Sequence, residues 1–159
     1  ASALAEAPQE ELAISYFVRA GLVDAELALL GGREAEARAS LARVRDVLDG
    51  GWQRAPSDSI RQLLARHEQL QADALERQGD ADGARALRRA ALARLQPGPD
   101  DVPSFDDLEL AWSLQRSLGE ADAAAASLAR LHAAGATPDA VADCAPLPAG
   151  LPASQRASR

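Results

Sequence analysis

GREAEARASL from Gly32 to Leu41, GDADGARALR from Gly79 to Arg88 and GEADAAAASL from Gly119 to Leu128 are three versions of one pattern. Each opens on Gly, places a charged residue second and Ala sixth, and two of the three carry Leu tenth. Gly can end a helix in the left-handed conformation, so a turn of very few residues suffices to start the next helix. Acidic residues in the following turn suit the positive end of that helix. The small Ala allows two helices to approach closely, and a large residue four positions on fills the space beneath. The three Gly residues are 47 and 40 residues apart, and similarity at a period of tens of residues is the mark of a helical repeat array.

Reading outward from these junctions gives six helices in three antiparallel pairs. The chain before Pro8 reads as a lead-in (residues 1–8), and a first helix from Gln9 to about Leu30 carries a stripe of Ile14, Phe17, Val18, Gly21, Ala25 and Ala28. A second helix bears Ala37, Leu41, Val44 and Leu48 on one face and is expected to stop at Gly50-Gly51, with Trp52 to Pro56 as a linker. Ser57 stands where an N-cap belongs, ahead of a helix with Ile60, Leu63, Leu64, His67, Leu70 and Ala74 at helical spacing. The fourth helix, about 81–96, carries Ala84, Leu87, Ala91 and Leu95 and yields to a Pro-rich loop. Ser104 with Asp107 resembles a capping box. It precedes a fifth helix with Leu108, Ala111, Trp112 and Leu118, flanked by Leu110 and Leu114. The sixth has Ala121, Ala124, Ala125, Leu128 and Leu131 on one face and stops at Gly135. Residues 136–159, with one short turn near Asp139 to Cys144, read as a flexible tail or linker. The repeat units are therefore about 9–49, 57–96 and 104–135.

Composition agrees with an all-α fold. The 159 residues include 38 Ala and 23 Leu, only 3% are aromatic, and β-branched residues are scarce, so helix propensity is high throughout and a β-sandwich or barrel is excluded. A net charge of −7 argues against a nucleic-acid or anionic-membrane binder. No apolar run reaches the roughly 18 residues of a membrane span. Every basic residue is Arg; Lys, Met and Asn are absent, as GC-rich bacterial coding would produce. Lacking Met, the chain is expected to be cut from a longer protein or to have lost an N-terminal segment, and Ala1-Ser2-Ala3-Leu4-Ala5 would suit a mature end after signal cleavage. Bacterial cytoplasm and periplasm both stay open. The lone Cys144 forms no internal disulfide.

The junctions resemble the tetratricopeptide repeat (TPR) family, whose pattern has a small residue midway along helix A, Gly at the turn, Ala early in helix B, then a large apolar and another small residue. The resemblance covers about residues 9–135. It falls on Ala25, Gly32, Ala37 and Leu41 in the first unit, and on Ala72, Leu75, Gly79, Ala84 and Ala91 in the second, with Pro97 one residue past the family's terminal proline. In the third it falls on Gly119, Ala124 and Leu128. The periods exceed the family's value of about 34. Arg88 stands at the large apolar position, Trp112 at a small one, and the family's early aromatic is absent. A looser helical-hairpin solenoid fits the same residues. The peptide clamp of one subset of the family uses Lys and Asn, and this chain has neither.

No catalytic constellation emerges, and no cofactor or metal is expected. His67-Glu68-Gln69-Leu70-Gln71 begins like a zinc-protease helix but has Gln where the second His must be. With His67 and His132 alone, both read as satisfied or exposed side chains. Cys144 has no base beside it, there is no nucleophile elbow, and the Gly pairs lack the Lys-Ser/Thr of a phosphate loop. Glu10/Glu11, Asp100/Asp101 and Asp106/Asp107 are adjacent and so cannot share a helical face. Arg85, Arg88, Arg89 and Arg94 read as a salt-linked helix surface, Trp52 as a linker anchor or contact residue, and Trp112 as packing between units.

What remains is an interaction module: a short right-handed α-solenoid binding a partner protein or peptide, or a segment of its parent chain, on its concave face. The resemblance implies that one side of each A helix lines that face, presenting Glu26 and Leu29, then Arg66, Gln69, Asp73 and Arg77, then Glu109, Ser113 and Arg116. Mixed charge over an Ala-rich floor suits salt-linked recognition. The alternative is a structural segment of a longer solenoid within a bacterial sensor, regulator or export protein. The few charges of the last helix then mark an uncapped end. A homodimer through Leu110 and Leu114 is a further expectation.

Overall fold

The computed structural model describes residues 3–96 and 102–136. It is all-helical over them: α1 (Ala3–Leu30), α2 (Glu34–Arg54), α3 (Asp58–Arg77), α4 (Ala81–Arg94), α5 (Phe105–Leu118) and α6 (Ala121–Ala133). Contact is densest within α1/α2, α3/α4 and α5/α6, and the other substantial contacts join α2 and α1 to α3, and α4 and α3 to α5. Three helical hairpins thus pack in chain order. The expected tail, with Asp139 to Cys144, lies outside the described residues, as do Asp100 and Asp101.

The sequence pattern corresponds to a repeated local geometry. Gly32, Gly79 and Gly119 have φ of 71°, 86° and 76°. The next N–H groups, of Arg33, Asp80 and Glu120, reach back to the carbonyls of Ala28, Leu75 and Gln115 at 2.8, 3.0 and 2.9 Å. These bonds satisfy helix-end carbonyls that would otherwise lack partners. The same three residues then start the second helices with nearly equal angles, φ −93°, −86° and −83° with ψ 65°, 74° and 70°. The sixth-position Ala37, Ala84 and Ala124 are all buried, as close helix approach demands. Ser57 accepts from the Ile60 N–H at 3.3 Å. Ser104 and Asp107 form the reciprocal capping box at 3.1 and 3.2 Å.

Four features of helix extent and inter-helix packing differ from expectation. First, α1 begins at Ala3, so Pro8 lies inside the helix rather than ending a lead-in. Second, α2 runs through Gly50-Gly51 to Arg54 and takes in the half-buried Trp52. A Cβ at the buried Gly51 would stand 3.3 Å from Ile14 Cδ1 and 3.4 Å from Ile60 Cδ1. There, close packing of α1 and α3 on a bare backbone outweighs the modest helix cost of glycine. Third, Trp112 packs with Leu108, Ala124 and Leu131 inside the third hairpin rather than between units. Fourth, Leu110 and Leu114 are buried against Ala65, Ala91 and Leu95. That side of α5 is covered by the second hairpin and offers nothing to a second copy.

The core is weighted toward the N-terminal half. One cluster joins Val18, Leu22, Ala25 and Leu29 of α1 to Leu41, Val44 and Leu48 of α2 and to Ile60, Leu63, Leu64 and Leu70 of α3. The other two clusters are smaller. Phe17, expected in the α1 stripe, is 51% exposed, and it has company: Leu12, Tyr16, Val23, Leu27 and Leu30 are all about half exposed or more. On α6 the buried residues are Ala124, Ser127 and Leu131, while Ala121 and Ala125 face outward. No helix among the described residues is long and apolar enough to cross a membrane.

Candidate functional site

Arg66, Gln69, Asp73 and Arg77 share one stripe of α3, at spacings of three and four residues that place side chains above one another. α1 and α5 flank this helix. From α1, Glu26 offers both carboxylate oxygens to Arg66 Nη2, at 3.2 and 3.1 Å. Arg66 Nη1 donates to Gln69 Oε1 at 2.7 Å, and Gln69 Nε2 donates across to Ser113 Oγ of α5 at 3.0 Å. A continuous polar line therefore crosses the first helices of all three hairpins. Ser117 Oγ extends it by donating to the Ser113 carbonyl at 3.0 Å.

Two further residues on the stripe are tied to neighbouring helices. Arg77 Nη1 donates at 2.7 Å to the Leu29 carbonyl at the end of α1, adding positive charge where the helix dipole is negative. Asp73 accepts from Arg88 Nη2 at 2.8 Å, and Glu76 accepts from the same nitrogen at 2.5 Å. Burial pushes the Asp73 carboxyl up against the pull of Arg88, whereas the Arg88 hydrogen bond holds Glu76 below the usual carboxylate range. Arg88 itself is 5% exposed. It stands at the place in the pattern that Leu41 has in the first hairpin, is likewise buried, and turns its charge onto α3. Of the four arginines expected on a salt-linked helix surface, Arg85, Arg88 and Arg94 are salt-linked, Arg85 to Asp82 at 3.2 Å, but Arg88 is not on the surface. Arg94 donates at 2.8 Å to the buried Glu68, which Arg45 of α2 also approaches.

The nine expected face residues divide by burial. Leu29, Gln69 and Ser113, expected as partner contacts, are buried and covered by the fold itself. Glu26, Arg66, Asp73 and Glu109 are half-buried, and Arg77 and Arg116 are exposed. Glu109 makes no ion pair among the described residues. Arg116 lies over the Trp112 ring, 4.8 Å from its centroid, a cation–π contact. The Arg88 cluster was signalled only by a charged residue at the tenth place of the second junction.

His67 is fully buried, and its Nε2–H donates to the Leu41 carbonyl at 3.0 Å. Desolvation lowers its pKa, so the ring is neutral and joins α3 to α2. No cluster of His, Cys, Asp and Glu suited to a metal ion occurs among the described residues. A shallow groove of about 300 Å³ lies between the starts of α3 and α5, where Arg61 faces Asp58, Asp106 and Asp107. Arg61 Nη1 also donates at 2.7 Å to the Arg94 carbonyl at the end of α4. Compared with known proteins, the chain matches no family model, no curated protein and no solved structure.

Proposed function

We propose that the chain is a non-catalytic protein–protein interaction module, a TPR-like helical scaffold. It takes a partner protein or peptide, or a segment of its parent chain, across the face of α1, α3 and α5. The observation that carries this reading is the polar line from Glu26 through Arg66 and Gln69 to Ser113. It holds three helices of successive hairpins in fixed register, leaving Asp73, Arg77, Glu109 and Arg116 beside it. Such a face suits an extended partner of mixed charge, with specificity from matched charges and affinity from the apolar area covered around them. The right-handed solenoid geometry and the concavity of this face are part of the same proposal.

The test is capture of partners by the purified chain, read by mass spectrometry beside a Glu109→Arg/Arg116→Glu variant. Arg66 is a poor choice for that control, because reversing it also breaks its bond to Glu26 between hairpins. A protein retained by the native chain and lost by the variant supports the assignment. Partners that bind both equally place recognition elsewhere.

The alternative, a segment of a longer solenoid, calls for an unpartnered apolar face at each end. Large exposed apolar side chains gather on α1, while α6 turns Asp122, Arg130, His132 and alanines outward. The scaffold reading is therefore preferred.

A further inference from the structure

Seven residues of α1 lie on the side opposite its buried face. Val18, Leu22, Ala25 and Leu29 point into the array, and half a helical turn away lie Leu12, Ala13, Tyr16, Ala20, Val23, Leu27 and Leu30, all exposed. From Ala13 the spacing to Tyr16, Ala20, Val23, Leu27 and Leu30 is three, four, three, four and three. That is the a/d seam of a two-stranded coiled coil, in which apolar residues recur on average every 3.5 residues. In this register Ala13, Ala20 and Leu27 take the a places, and Tyr16, Val23 and Leu30 the d places. Leu12 and Phe17 widen the seam.

Three charges flank it, one of them Glu26 at g. Arg19 falls at g and Asp24 at e, and in a parallel pair the g residue of one helix lies beside the e residue five positions on in the other. Arg19 would thus meet Asp24 of the second copy, twice by symmetry. Asp24 makes no ion pair among the described residues, and Arg19 makes only a long 3.4 Å contact to Ser15. The antiparallel arrangement would instead set Arg19 on Glu26, which Arg66 already holds.

The area is also sufficient. The six large side chains offer on the order of 600 Å² of apolar surface per copy, the upper end of what a monomer exposes; pairing two copies covers on the order of 1,200 Å², the lower edge of a specific interface. α1 runs for 28 residues, so the seam is long enough for more than two heptads. Because the seam faces away from the array, the bodies of two copies lie on opposite sides of the contact. We propose that this face docks a second copy of the chain, α1 to α1, in parallel register. This goes beyond the partner site on α1, α3 and α5, and it moves self-association from Leu110 and Leu114 to the first helix.

Sedimentation equilibrium of the whole chain at about 100 μM, a concentration that populates a micromolar dimer, tests it. The expected mass is twice 16.6 kDa. Val23→Glu/Leu27→Glu should return a single-chain mass with helical circular dichroism unchanged. Arg19→Glu should weaken the pair by a few-fold, as expected of an exposed ion pair, and Arg19→Glu/Asp24→Arg should restore it. This charge swap also decides the matter if the Glu pair impairs folding. A single-chain mass for the native protein overturns the proposal and leaves the face to a different protein or a further hairpin. So does a dimer that survives Val23→Glu/Leu27→Glu, or one that the charge swap fails to restore.

Discussion

α1 buries Val18, Leu22, Ala25 and Leu29 on one side and still exposes Tyr16, Val23, Leu27 and Leu30 on the other. α6 buries only Ala124, Ser127 and Leu131 and turns Asp122, Arg130 and alanines outward. These are the first and last of the described helices, yet one presents a face that can be covered and the other a face of small and charged residues. Counting charges along the sequence picks α6 as the unfinished end. Side-chain size decides otherwise, since alanine contributes little apolar area whichever way it faces. The contrast extends inward: the first hairpin shares a large core with α3, whereas the third rests on two small clusters.

The sharpest way to break this comparison is to delete the same side chain at each end. Leu48 and Leu131 are both fully buried. Leu48→Ala should cost about 2–5 kcal/mol and lower the melting temperature of the whole described array. Leu131→Ala should instead loosen α5 and α6 while hydrogen exchange in α1 to α3 stays slow, because a stack of units can lose its last member separately. Equal, global loss of protection in both variants would show that the two ends are not energetically distinct.

Next in size is the charge cluster of the middle hairpin. Arg88→Ala should destabilise by about 2–3 kcal/mol in denaturant titration. This is less than for a wholly buried pair, since Asp73 and Glu76 remain 37% and 48% exposed. Arg88→Leu, the residue at the same place of the other two junctions, should recover part of the loss by putting an apolar side chain in the buried position.

A smaller effect follows from His67, which belongs to the large N-terminal core. Its pKa is lowered from the ordinary 6.5 by burial, so the folded chain keeps the ring neutral while the unfolded chain takes up a proton. The stability due to the neutral ring is complete above pH 6.5 and falls as the pH drops toward the folded value, by at most about 1.4 kcal/mol per pH unit. Comparing denaturation of the native chain and His67→Leu across this range should show that slope only in the native chain. The smallest effect expected is on α6. Ala126→Glu, on the exposed side of α6, should change stability by no more than about 0.5 kcal/mol and leave the sedimentation mass as it was.

What could be read in the sequence was whatever depends on local backbone chemistry. The glycines at 32, 79 and 119 have the positive φ that their place in the pattern requires, and Ser57 and Ser104 cap where they should. The resemblance to the repeat family grouped Glu26, Arg66, Gln69 and Ser113, which the fold joins by hydrogen bonds. Gly50-Gly51 was not legible, because the packing of Ile14 and Ile60 on Gly51 is a tertiary event with no local signature. The two-sided character of α1 was hidden for a different reason. A helix apolar around most of its circumference fits several stripes equally well, and Phe17 was drawn into the wrong one. Nor could sequence separate Gln69 and Ser113 from a docking face, since a polar residue between two helices reads like a polar residue on a surface.

α3 holds its neighbours on both sides through arginine: Arg66 and Arg77 reach back to α1, and Arg61 reaches forward to the end of α4 and, at 3.6 Å, to Asp107 of α5. Under tension applied at the two ends of the described chain, these ties set an order of rupture. The last hairpin should peel away first, resisted by its small cores, and the helix at the centre should let go last. The molecule would then behave as a graded spring, stiff at the middle and front and yielding from the rear.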